Sequence, residues 1–274
     1  MAAAIHSNSA AEASKGPQQP LTLYTTQTPN GIKISIALEE LEIPYKVFKH
    51  DFVARTQKEP WYLAINPNGR IPAITDTFSD GSQIHLWESG SILKYLVEQY
   101  DKDFKLWYPA GTRENYELFS WLFFQIGGLG PMQGQMTHFN RHVTEKIPYA
   151  IERYSNETRR LYSVLEKQLA TSQSGFILSK FTIVDICFWS MVAASGWAGV
   201  SLAEFPEIHR WYEKVLSRPS VAKGMNVPEP HPIQVLMDDK TGQKAKEFEE
   251  YSRSWVMTGM AKDAEGLKKR DPAC

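Results

Sequence analysis

The stretch "NPNGRIPAITD", Asn66 to Asp76, is followed twelve residues later by "ESG", Glu88 to Gly90. Pro72 stands where a β-strand begins. Proline cannot donate to a sheet ladder, so it belongs at an edge, a first residue or a bulge. It also carries most of the cis peptide bonds found in proteins. A cis Ile71–Pro72 bond here would turn the backbone of Ile71 outward, toward something that is not part of the chain.

Around this point the pattern is α/β. "LTLYT" (21–25) alternates like a half-buried strand, and "TPNG" (28–31) signals a turn. Ile34, Ala37, Leu38 and Leu41 share a helical face. "IPYKVFKHDF" (43–52) reads as a second strand, and "IPAIT" and "IHLWE" as a hairpin around Asp80-Gly81. Ser89 is placed to cap a helix carrying Ile92, Leu93, Leu96, Val97 and Tyr100. Residues 21–101 thus read as β-α-β then β-β-α, and 102–111 as a linker. From Thr112 the strand signals stop. Residues 112–225 read as all-helical, with "GGLGP" (127–131) interrupting one helix and "TIVD" (182–185) resembling a capping box with Asp in place of Glu. Residues 1–20 read as a disordered tail. Residues 226–274 read as an appended arm with one or two weak helices.

Composition narrows the function. The 274 residues carry 30 basic and 31 acidic side chains, a net charge of -1, which exerts no global pull toward nucleic acid or acidic membranes. No apolar run is long enough to span a bilayer. Only two cysteines occur, Cys187 and Cys274, without disulfide-framework or metal-ligand spacing, which fits a reducing, cytoplasmic setting and no metal. Cys187 lies in "IVDICFW" and reads as a buried, inert thiol.

With these motifs in this order, the chain resembles the cytosolic glutathione transferases over roughly Leu21 to Met225. "TPNGIKISIALEEL", "NPNGRIPAI", "WESGSIL", "GGLGPMQGQ" and "IPYAIERY" are similar to the branch of the fungal nitrogen-regulator-like and bacterial nu-class enzymes. The resemblance implies a thioredoxin-like N-terminal domain followed by an all-helical domain, assembled as a homodimer. It implies glutathione as cosubstrate, with a small electrophile, disulfide or peroxide as the second substrate. In this family the proline is cis, and Ile71 pairs with the cysteinyl part of the ligand like an added strand. Glu88 would hold the γ-glutamyl ammonium, Ser89 its carboxylate at a helix start, and Gln57 the glycine end.

The resemblance also implies that a donor near the end of the first strand lowers the pKa of the glutathione thiol. With no cysteine in the first half, the candidates are Tyr24, Thr25, Thr26, Thr28 and Asn30. Tyr24 reads as packing. Thr28 and Asn30 match the branch's positions around the sulfur, although a Pro-Asn-Gly turn with Thr28 as its cap accounts for the same residues. Arg153 matches an Arg that reaches a second glutathione, or it pairs with Glu157 one turn on. His138 and Phe139 are candidates for the cleft wall; His138, His142 and Glu145 lack compact zinc spacing. The activities implied are disulfide reduction, peroxide reduction or conjugation. The rival reading is a glutathione-binding regulator with little turnover. The first twenty residues are not Asn/Gln-rich, which counts against prion-like assembly.

Overall fold

The structure, a computed structural model, describes residues 21–232 and 241–270. The expected N-terminal tail and Cys274 lie outside the described residues. Strands β1 (Leu21–Thr25), β2 (Tyr45–Lys49), β3 (Ala73–Thr77) and β4 (Gln83–Trp87) form one sheet in the order β2-β1-β3-β4. β1 runs parallel to β2 and antiparallel to β3, and β3 antiparallel to β4. Leu23 sits opposite both Val47 and Ile74, and Ile74 opposite Leu86, so one apolar row crosses the sheet.

Helix α1 (Gly31–Glu40) connects β1 to β2, and α3 (Ser89–Tyr100) follows β4. The apolar stripe expected on α1 is real, but nine of its ten residues are buried. The reason is that α1 lies between the sheet and the helical half, in contact with both. Ser35 donates to Gly224 O at 2.7 Å. A Cβ at Gly224 would meet Ile36 Cα at 2.5 Å, so the two halves approach backbone to backbone there and only glycine fits.

The second half contains α4 (Arg113–Phe124), α5 (Gly130–Thr137), α6 (Pro148–Ala170), α7 (Ile183–Val192), the short α8 (Ser195–Ala198), α9 (Pro206–Leu216) and α10 (Pro219–Gly224). Thr112 caps α4, its hydroxyl accepting from Asn115 N at 3.3 Å. The capping box at α7 is present, with Thr182 and Asp185 in the two roles. Asp substitutes for Glu because its carboxylate also accepts from Ile177 N and Trp211 Nε1, partners that sit close to the helix start.

Four expectations need correction. The strand expected at 43–52 is only Tyr45–Lys49, because Ile43 N still bonds back to Leu38 O at the end of α1. Pro72 precedes β3 rather than opening it. "GGLGP" does not break the helix. A π-helical turn over Gln125–Leu129 carries the chain from α4 straight into α5. Among the described residues the extension carries a 28-residue helix, Gln243–Arg270, longer than the weak helices expected there. That helix is held by tertiary contacts to both halves: Trp255 packs on Phe52 with rings 4.7 Å apart, Phe248 on Trp197 at 5.0 Å, and Glu249 pairs with Arg141 at 3.2 Å.

Candidate functional site

The loop after the short helix α2 (Pro60–Leu63) is built to present Ile71. The buried Tyr62 hydroxyl and Asn66 Nδ2 both donate to Arg70 O at 2.6 Å. Burial pushes the Tyr62 hydroxyl well above its ordinary pKa, so it stays a donor. Asn66 Oδ1 accepts from Asn68 N, which closes the "NPNG" turn. The Ile71–Pro72 bond is cis. The ladder begins two residues later, at Ala73 opposite Trp87, so Ile71 lies outside it.

Across a cavity of about 220 Å³ from this loop lie Asn30, Lys33, Glu88, Ser89 and Gln125. Glu88 occupies the position before α3 with φ 67 and ψ 118, a sparsely populated backbone region for a non-glycine residue. It is exposed, with its carboxylate available to the cleft. Ser89 is not the N-cap expected of it. It is the first helical residue, because Glu88 takes the cap position, and its hydroxyl makes no capping bond. Lys33 Nζ donates to that hydroxyl at 3.4 Å instead.

Asn30 stands before α1 with helical backbone angles, and its side chain makes no capping bond. Thr28 Oγ1 accepts from Gly31 N at 3.1 Å, which leaves its O–H free to donate outward. Thr25 is buried, and its hydroxyl donates to Thr26 O at 3.2 Å. Tyr24 packs among Phe48, His50, Trp61 and Tyr62, in keeping with a structural role.

The cavity therefore brings together Asn30, Ile71, Pro72, Glu88 and Ser89. It does not include Thr28, Gln57 or Arg153. Gln57 lies in a short 3-10 turn over Thr56–Lys58, and its Oε1 is buried without a partner. Arg153 is exposed on α6, and the carboxylate of Glu157 is taken by Arg160, with contacts of 2.7 and 2.8 Å. Phe139 stacks on Tyr154 with rings 5.5 Å apart, and His138 lies beside His142. No group of three His, Cys, Asp or Glu among the described residues is arranged to hold a metal.

Lys33 and Gln125 are among the cavity residues that the sequence reading did not single out. Both carried a signal. Lys33 falls one turn before Ala37 on the inward side of α1, and Gln125 follows Leu118 and Leu122 at helical spacing. Each is a polar residue on a stripe that should be apolar. Cys187 is buried as expected, but its surroundings are more polar than its sequence neighbours suggest. Its thiol is buried and pushed up by that burial, but its Sγ donates to Gln125 Oε1 at 2.7 Å and lies beside the Lys33 ammonium. Its surroundings are not wholly apolar because α7 packs against the polar side of α1 and the π turn.

The chain is similar to known proteins along both halves. Residues 19–98 match the family model "Glutathione S-transferase, N-terminal domain", and residues 136–224 match "Glutathione S-transferase, C-terminal domain". Disulfide-bond oxidoreductase YfcG of Escherichia coli is 43% identical over 209 residues, covering 75% of this chain and 94% of the relative. Protein URE2 of Meyerozyma guilliermondii is 34% identical over 249 residues, with 76% and 81% covered. Among solved structures, a glutathione transferase homolog from Lodderomyces elongisporus, with two GSH per subunit, is 39% identical with a TM-score of 0.72, covering 77% of this chain and 99% of that one. The transferase URE2P6 from Phanerochaete chrysosporium, in complex with oxidized glutathione, is 41% identical with a TM-score of 0.69, covering 74% and 94%. A four-stranded sheet with a cis-proline turn just before its third strand, a helical second half and matches along both place the chain in the glutathione S-transferase family.

Proposed function

We propose that this protein reduces disulfides with glutathione, using the thiols of glutathione itself rather than a protein cysteine. The observation that carries this reading is the single cleft where the Ile71–Pro72 turn, Glu88, Ser89 and Asn30 face one another with no cysteine among its lining residues. The Ile71 backbone would pair with the cysteinyl unit, Glu88 with the γ-glutamyl ammonium, and the Ser89 N–H at the start of α3 with the carboxylate. The orphaned Gln57 Oε1 suits an amide N–H near the glycine end. Arg153, exposed on α6 and not part of the cavity, would reach toward a second glutathione. The relative named a disulfide-bond oxidoreductase and the neighbours holding two GSH or oxidized glutathione support the same chemistry.

The thiolate would form beside Asn30 and Thr28, where the start of α1 favours negative charge. It attacks one sulfur of the substrate disulfide, forming a mixed disulfide and releasing one thiolate, which takes up a proton. A second glutathione thiolate attacks the glutathione sulfur of the mixed disulfide. Glutathione disulfide and a second substrate thiol leave.

Turnover with glutathione and hydroxyethyl disulfide, a hydroperoxide or a chlorinated aromatic, assayed in parallel, tests the assignment. The disulfide is expected to be the best substrate. Asn30→Ala is expected to lower kcat by about 100-fold, the scale of removing one donor to a developing anion. The same change should raise the pH at which bound thiol ionises. A purified, folded protein that binds glutathione and leaves the disulfide untouched would support the rival reading, a glutathione-binding regulator.

The same reading includes a homodimer. Trp87 on β4, Tyr116 and Phe123 on α4, and Tyr149 on α6 are large and exposed, the last three at 66%, 65% and 74%. Light scattering is expected to give twice the chain mass at micromolar concentration, and a monomer mass would refute the assignment.

A further inference from the structure

Lys33 is 1% exposed, yet its neighbours are neutral: Gln125 Oε1 at 3.0 Å and Ser89 Oγ at 3.4 Å. Among the described residues it has no ion-pair carboxylate. Glu88 is the only acidic residue lining the same cavity, and it is exposed and not paired with Lys33. Buried charges in proteins are paired or they are costly. Gln125, fully buried, presents a second anomaly. Its Oε1 accepts from Lys33 and Cys187, while its Nε2 has no partner. Both side chains line the cavity beneath Ser89. A buried ammonium and an unused amide N–H at one place describe a site that lacks an anion.

We propose that Lys33 and Gln125 form a buried cationic floor that supplies the counter-charge for the ligand carboxylate seated at Ser89, and that this floor selects ligands carrying that carboxylate. The inference rests on the glutathione site proposed above and deepens it. Lys33 reaches the carboxylate through the Ser89 hydroxyl: by donating to Oγ it leaves the hydroxyl proton to point at the ligand. Gln125 holds the ammonium in place through Oε1, and its buried Nε2 has no partner of its own. Lys33 and Gln125 are positioning residues, since the reacting sulfur is placed near Asn30. The arrangement also joins the halves of the molecule, because Lys33 and Ser89 belong to α1 and α3 while Gln125 opens the π turn.

Calorimetry with two ligands tests this: glutathione, and 4-aminobutyryl-cysteinyl-glycine, the same tripeptide without the γ-glutamyl carboxylate. Wild-type protein is expected to prefer glutathione by about 10- to 100-fold, the range of a charge-assisted hydrogen bond. In Lys33→Gln this preference should collapse to about threefold or less through loss of glutathione affinity, with binding of the analogue unchanged. Gln125→Glu gives the ammonium an internal partner. Its melting temperature should hold or rise while glutathione affinity falls about tenfold and analogue affinity does not. A purely structural role for the pair would leave the preference intact in both variants.

The outcomes separate the two levels of the argument. If the wild type prefers glutathione and folded Lys33→Gln keeps that preference, the cationic floor is refuted and the site stands. If Lys33→Gln fails to fold, full glutathione affinity in Gln125→Glu refutes it equally. If the wild type shows no preference, the carboxylate is not at Ser89, and the site reading falls together with this inference.

Discussion

Replacing Asp185 with alanine is expected to remove roughly 3–5 kcal/mol of stability. The carboxylate is fully buried and accepts four hydrogen bonds: from Thr182 N at 2.9 Å, Trp211 Nε1 at 2.9 Å, Ile177 N at 3.0 Å and the Thr182 hydroxyl at 3.3 Å. Alanine would strand these donors in the core. Each buried donor left unmade costs about 1–3 kcal/mol, and partial relaxation keeps the total below the simple sum. Loss of half the capping box adds about 1 kcal/mol. Against a total stability of about 5–15 kcal/mol, the variant should unfold at a much lower denaturant concentration. Asp185→Asn, which keeps one acceptor, should fall between. A midpoint within about 1 kcal/mol of wild type for Asp185→Ala would mean that the donors find other partners and that α7 does not depend on its cap.

Glutathione affinity should drop far more in Glu88→Ala than in Gln57→Ala. Glu88 lines the cleft and has no ion-pair partner of its own among the described residues, so its carboxylate is free for a ligand ammonium. A hydrogen bond to a charged group contributes about 1.5–3 kcal/mol, or roughly 10- to 150-fold in affinity. Gln57 offers a neutral bond of about 1 kcal/mol, about fivefold. The backbone at position 88 does not complicate the comparison, because alanine at φ 67 is no freer than glutamate. Calorimetry that found Gln57→Ala the weaker binder would move the γ-glutamyl end away from Glu88.

What the sequence could determine by itself was local. The cis Ile71–Pro72 turn, the Thr112 cap and the Thr182–Asp185 box are each specified by residues within a few positions of one another, and all three are present. The period-2 and period-3.6 patterns likewise placed the sheet and most helices, with errors at their ends, where capping and tertiary bonds decide the boundary. The C-terminal helix was underestimated for a related reason. Its own pattern is weak, and the rings and ion pair that hold it come from Phe52, Arg141 and Trp197, distant in the chain.

The floor of the site was decided only by tertiary structure. Lys33 and Gln125 are 92 positions apart, and no local rule connects a lysine on the first helix with a glutamine in a later one. Each broke its own apolar stripe, which marked it as unusual but gave it no partner. Gln125 sits at the start of a π turn, where an extra residue in the turn shifts the helix face that meets α1, and a 3.6-residue pattern cannot anticipate that shift. The charge of Lys33 is tolerated inside because packing of the two halves brings neutral acceptors to it and leaves an opening above it. That balance of desolvation against pairing depends on distances, which the order of residues along the chain does not contain.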